Sequence, residues 1–146
     1  MNQNELHYLA GLFDGEGWAC IDKCDGKIHR MKHPYYSLAI ELVMREKYLV
    51  QKFLGFGGSV GIQLPRKLTH STTYRWSVSG TEAMGFAKIF CDVCQAKGQQ
   101  LKLAIRFQKL KEQRKNKYTP ISKSIVSNYE KMWNRMKVLN QKGIGK

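Results

Sequence analysis

Acids are scarce in this chain: 11 Asp and Glu stand against 25 Lys and Arg in 146 residues, a formal charge of +14. So one-sided a balance points to a polyanionic partner, most simply nucleic acid. The excess is uneven, since residues 97–146 hold 14 of the basic side chains but only 2 of the acids. The late helices are therefore expected to offer sequence-independent phosphate contacts. Any apolar run of membrane length is also missing, and the N-terminus is polar and acid-bearing. Neither a membrane span nor a secretory signal is expected. Cysteine is limited to Cys20, Cys24, Cys91 and Cys94. Their C-x3-C and C-x2-C spacings invite a zinc site, but four residues along a strand separate side chains by roughly 13 Å. Cys91 and Cys94 fall at the end of an amphipathic helix, where small apolar residues are expected. Free thiols are the better reading, and they fit a reducing compartment. His29 and His33, flanking a basic loop, carry still less weight as metal ligands.

What is present reads as one domain, long enough to bury a core without disulfides or structural metal. Asn2 is placed to cap a first helix, with Glu5 three residues on. Leu6, Leu9, Leu12 and Phe13 follow at helical spacing. Gly11 and Gly15 lie four apart on one face; each glycine costs a helix interior roughly 1 kcal/mol against alanine. Close approach of a second helix is the compensation that this pattern predicts. Gly15 and Gly17 are expected to end the helix through glycine's tolerance of left-handed backbone. Glu16 then sits at a helix C-terminus, where the dipole disfavours a carboxylate, and a divalent cation would resolve the conflict.

Alternation predicts strands over residues 18–23, 36–44, 59–64 and 73–79, with a helix over 46–54 between the second and third. Helices follow over 81–94, 99–114 and 121–139. The order is helix, strand, strand, helix, strand, strand, helix, then further helices: an α+β fold. The last helix carries Ile125, Tyr129, Met132, Met136 and Leu139 as an apolar stripe. Its Lys123, Lys131, Arg135 and Lys137 lie opposite, where they could follow phosphates. Antiparallel strands packed on helices by one face leave the other free. That free face carries Asp22, Ser37, Glu41, Gln63, Thr73, Arg75 and Ser77, residue types suited to base edges in a major groove. Hairpin tips add Lys27, Arg30, Lys32, Arg66 and Lys67.

The string Leu9-Ala10-Gly11-Leu12-Phe13-Asp14-Gly15-Glu16-Gly17 occurs once and resembles the LAGLIDADG motif of homing endonucleases. It departs from that pattern at Phe13, Gly15 and Glu16, the last standing for the usual aspartate. The resemblance implies an αββαββα core with an antiparallel DNA-binding sheet over residues 1–118. Residues 119–146 would form a C-terminal helix on the same domain, frayed at its end. One motif per chain implies a homodimer, with Gly11, Leu12, Asp14 and Gly15 at the helix contact. Glu16 and the Gly15 carbonyl would hold Mg²⁺, while Lys97, at a helix junction, would polarise the scissile phosphate. The family keeps a polar residue on the second strand to position water; Met44 stands there, with Arg45 or Glu41 as substitutes. Arg45 is also a candidate DNA contact. The implied activity is metal-dependent hydrolysis of both strands of a long pseudo-palindromic duplex, leaving short 3′ overhangs. No membrane or small-molecule partner is implied. Two alternatives stand beside it: a DNA- or RNA-binding protein without cleavage (a maturase or repressor), and a zinc-stabilised nucleic-acid module.

Overall fold

Asn2 starts the first helix, its side chain accepting the Glu5 amide at 2.8 Å. In the computed structural model, which describes residues 1–114 and 121–141 but not the side chains of Ile28 and His29, this helix, α1, spans Gln3–Glu16. Its Leu9, Ala10 and Phe13 are buried, while Leu6 and Leu12 pack at the margin of the core. The helix ends differently from expectation. Gly17 is extended (φ −92°, ψ 163°), not left-handed. Its lack of a side chain is required by proximity, because a Cβ there would lie 2.3 Å from the Phe13 ring. Gly17→Ala is therefore expected to destabilise the fold by about 1–3 kcal/mol through overpacking, measurable as a lower urea midpoint.

Strands β1 (Gly17–Cys24), β2 (Tyr35–Met44), β3 (Ser59–Gln63) and β4 (Thr73–Ser79) form one antiparallel sheet in the order β1-β2-β4-β3. Alternation decides its two faces. Ala19, Ile21, Tyr36, Leu38, Ile40, Leu42, Trp76 and Val78 point into the core. The residues between them point the other way. The basic stretch after β1 is a short 3-10 turn, Gly26–His29, ended by Arg30 at φ 54°.

The second helix is shorter than its periodicity predicts. α2 covers Lys47–Gln51 and tightens into 3-10 geometry over Lys52–Phe56. Gly57 and Gly58 stop it with φ of 94° and 75°, backbone that glycine adopts without strain. This sharp exit brings the Gly57 carbonyl under Trp76, whose Nε1 donates to it at 2.9 Å. Phe53, Phe56, Phe86 and Phe90 gather beside Trp76 as an aromatic cluster, with Phe86 and Phe90 stacked at 4.3 Å. Each such side chain removed from water contributes about 1.5–3 kcal/mol, so this cluster anchors the helices to the sheet.

α3 (Gly80–Phe90) ends four residues before the expected Cys94, and residues 91–97 form a turn instead. α4 (Gly98–Glu112) buries Leu101, Leu103, Ala104 and Phe107. α5 (Lys123–Asn140) is capped by Ser122, which accepts the Ile125 amide at 3.3 Å. Its Tyr129 and Met136 join the core. Asn140 Nδ2 donates to the Ala19 carbonyl at 2.8 Å, and Gln100 Nε2 to that of Leu139 at 3.0 Å. α5 thus belongs to the helical layer, and Lys123, Lys131, Arg135 and Lys137 are displayed there, not on the open sheet face. The basic linker that the sequence suggests over Lys109–Lys117 is helical as far as Glu112, within α4; its residues 115–117, Thr119-Pro120, the boundary at 118/119 and the terminal residues 142–146 lie outside the described residues. Among the described residues, no helix is long and apolar enough to cross a membrane.

Candidate functional site

The pairing of β1 with β2 decides what surrounds the end of α1. Gly17 sits opposite Leu42, so the residue before it, Glu16, arrives beside the last residues of β2. There Glu16 lines a cleft of about 300 Å³ with Val43, Met44, Arg45, Glu46 and Thr73. Glu16 is exposed at the C-terminal end of its helix, with no basic residue in the last turn to offset the dipole. Of the two substitutes for a polar partner near Met44, the cleft holds Arg45. Glu41 is instead committed to the middle of the sheet, where it accepts from Ser77 Oγ at 3.2 Å and faces Arg75 Nε at 3.9 Å.

Glu46 was missed from sequence. An acid just before a short helix reads as an ordinary dipole partner, but its side chain makes no capping hydrogen bond to α2. Its carboxylate therefore adds to the negative potential of the Glu16 cleft. Among the described residues no three His, Cys, Asp or Glu side chains are grouped to hold a metal ion. That donor set nonetheless suits a hard, reluctantly dehydrated cation such as Mg²⁺, which takes one or two carboxylates and fills its remaining positions with water and phosphate oxygens.

Asp14 has a role within its own chain. Its carboxylate accepts the amides of Gln95, Ala96 and Lys97 at 2.7, 3.0 and 3.0 Å. Lys97 is the first flanking residue of α4 and does not line the Glu16 cleft. The two residues expected to act on phosphate are instead connected through Asp14, which ties the α1 terminus to the turn bearing Lys97. Gly11 and Gly15 lie on the exposed face of α1, with no atom within 4 Å of a Cβ built at either. Leu12 between them is half-buried.

The sheet register places Asp22 opposite Ser37, Glu41 opposite Ser77, and Gln63 opposite Thr73. All seven polar residues expected on the free face, Arg75 included, share it. The groove beside the β3–β4 hairpin is lined by Arg45, Gln63, Arg66 and Thr73 among others, so Arg45 connects it to the Glu16 cleft. Lys67 belongs to the same hairpin, exposed, while Lys27 and Lys32 are exposed in the β1–β2 connection with Arg30. Positive tips thus bracket a hydrogen-bonding sheet.

All four cysteines are free, and they are scattered: Cys24 is exposed, Cys20 and Cys91 half-buried, Cys94 buried. Burial, followed by the charges of Asp22 and Glu41, pushes the Cys20 thiol up to about 12. Burial and then Asp14 push Cys94 to about 12 as well. Burial, then Asp92, raises Cys91. None of these environments favours a thiolate, the form a zinc site needs. Native protein treated with iodoacetamide near pH 8 is expected to label first at Cys24. Peptide mapping would find Cys20 and Cys94 unmodified until the chain is unfolded.

No family model matches this sequence, and no curated protein matches it. Solved structures do. The homing endonuclease I-CvuI in complex with its target superposes with a TM-score of 0.74 at 16% identity, covering 99% of this chain and 86% of that one. The archaeal intron-encoded homing endonuclease I-Vdi141I, complexed with DNA, gives 0.74 at 12% identity, over 96% of this chain and 86% of that one. The LAGLIDADG homing endonuclease I-GzeII, in complex with its DNA target, gives 0.66 at 12% identity, covering 91% of this chain but 43% of that one. The αββαββα arrangement described above is therefore the LAGLIDADG homing endonuclease fold, with α4 and α5 completing the helical layer.

Proposed function

We propose that this chain, with the fold of the LAGLIDADG homing endonucleases, is a site-specific DNA endonuclease acting as a homodimer. It cleaves both strands of a long pseudo-palindromic duplex by metal-dependent hydrolysis and leaves short 3′ overhangs. The observation that carries this reading is Glu16: an exposed carboxylate at the end of a glycine-faced helix, opening on a cleft beside a polar sheet. The structural likeness to I-CvuI and I-Vdi141I, homing endonucleases in complex with DNA, supports it. So does the coverage of I-GzeII, because a chain that matches under half of a larger nuclease fits the role of one half-site module.

In this reading two chains meet through the open α1 faces, Gly11 against its symmetry mate and Gly15 likewise, as an isologous contact requires. Leu12 flanks that contact. Glu16 and the Gly15 carbonyl of each chain would hold Mg²⁺, which supplies Lewis acidity and an activated water when bound. The remaining work falls to the chain's own residues. Asp14 fixes the turn that carries Lys97, whose ammonium stabilises negative charge developing on the phosphate. Arg45 draws a phosphate into the cleft and offsets the carboxylates of Glu16 and Glu46. The free sheet face lies in the major groove, with Asp22, Ser37, Thr73 and Ser77 available to base edges. Lys27, Arg30, Lys32, Arg66 and Lys67 contact the backbone and fix register.

Met44 supports a second reading. An apolar side chain lines the cleft where a water-positioning group would serve cleavage, as befits a binding protein that no longer cuts. A randomised palindromic duplex library incubated with protein and Mg²⁺ separates the two. Cleaved, sequence-converging products support the nuclease. Retention of converging but uncut duplexes supports the binding protein.

A further inference from the structure

Arg75 stands at the centre of the free sheet face, on β4, with β2 on one side and β3 on the other. Opposite it on β3 is Gly61, and two residues further along that strand stands Gln63, which the Arg75 side chain reaches on the diagonal. With the Gln63 amide turned so that its oxygen meets donors, Oε1 accepts from Arg75 Nη2 at 2.7 Å and Nε at 3.0 Å, and Nε2 donates to Thr73 Oγ1 at 3.3 Å. The opposite orientation would press the amide's N–H groups against the guanidinium. Glu41 Oε2 lies 3.9 Å from Nε, and the Arg75 side chain is 42% exposed.

A guanidinium has two hydrogen-bonding edges. Gln63 occupies the side edge, formed by Nε and Nη2. The end edge, Nη1 with the second Nη2 hydrogen, is left without a partner among the described residues. That edge offers two parallel N–H groups, the geometry that matches O6 and N7 of guanine in the major groove. Glu41 decides against the competing use of the same cation. A carboxylate this close offsets the attraction of Arg75 for phosphate and repels the backbone, but leaves directional pairing with a neutral base intact.

We propose that Arg75 selects a guanine at one position in each half-site, and that Gln63 and Glu41 are positioning residues that hold its end edge toward the groove. This rests on the DNA-cleaving reading and names the base read by one residue of that site.

The test uses the duplex selected from the library by the full-length protein and every single-base variant of it. Binding is measured in Ca²⁺ at several salt concentrations. Wild type is expected to prefer guanine at one symmetry-related pair of positions by roughly 10- to 100-fold. Arg75→Gln and Arg75→Lys should each lose that preference and leave other positions unchanged. The lysine variant retains the charge, so its salt dependence should match wild type. Gln63→Ala should weaken the same preference, and Gln63→Glu, which can still accept along the side edge, should restore it. Arg75 variants that keep every base preference overturn the proposal while leaving the endonuclease reading intact. So does a uniform loss across all duplexes with a salt slope lowered by about one, the signature of a phosphate contact. A wild-type protein that selects no duplex at all overturns both.

Discussion

Glu16→Gln is expected to lower the single-turnover rate of double-strand cleavage by on the order of 10³-fold, the scale of removing a group that stabilises charge in a transition state. Binding to the same duplex in Ca²⁺ should change little, because the sheet and the hairpin tips are untouched. The substitution is nearly isosteric, and Glu16 is exposed and makes no side-chain hydrogen bond or ion pair among the described residues, so thermal stability should hold within about 0.5 kcal/mol. This separation of rate from affinity is what assigns the carboxylate to chemistry. A variant that binds tenfold less tightly but cleaves at the wild-type rate once saturated would assign Glu16 to docking instead.

The second large effect concerns the helix face. In a single chain, nothing lies within 4 Å of a Cβ at Gly11 or Gly15. Replacing both by alanine should therefore stabilise the isolated chain, by up to about 1 kcal/mol at each helical position. In a dimer whose helices meet at those glycines, the same methyl groups hold the backbones apart. Gly11→Ala/Gly15→Ala is thus expected to raise the melting temperature of dilute protein, shift sedimentation from dimer to monomer, and abolish double-strand cleavage. The opposed signs make the test discriminating. A more stable protein that remains dimeric and active would place the interface elsewhere.

How far the sequence reveals this molecule depends on the range of the interaction. The strands were legible because burial imposes a period of two, and Leu38, Ile40 and Leu42 alternate cleanly with Ser37, Ala39 and Glu41. The same period identified the polar face before any register was known. Register itself was not legible, so the diagonal contact of Arg75 with Gln63 emerged only from pairing between strands β3 and β4. Helix ends were the weakest part. α1 ends at an extended Gly17, where a Cβ would collide with the Phe13 ring, a constraint that cannot be inferred from glycine's backbone freedom. From sequence Asp14 reads as part of the contact between two motif helices, because it lies beside Gly11 and Gly15 in the motif. Its partners, the amides of residues 95–97, lie more than eighty positions away in a turn whose place is set by α3 and α4 packing. Glu46 entered the cleft for a similar reason: β2 must pair with β1 before residues 43–46 and Glu16 become neighbours.

The central claim is that two chains assemble one cleaving centre on one duplex. A stoichiometric titration tests it most directly. Duplex carrying the selected site is held well above its dissociation constant, protein is added in steps with Mg²⁺, and cleaved ends are counted alongside sedimentation of the uncut Ca²⁺ complex. The account predicts a break at two chains per duplex in both measurements, with cleavage negligible when chains are dilute enough to be monomeric. Full cleavage of both strands at one chain per duplex, by a protein that stays monomeric on DNA, would contradict it.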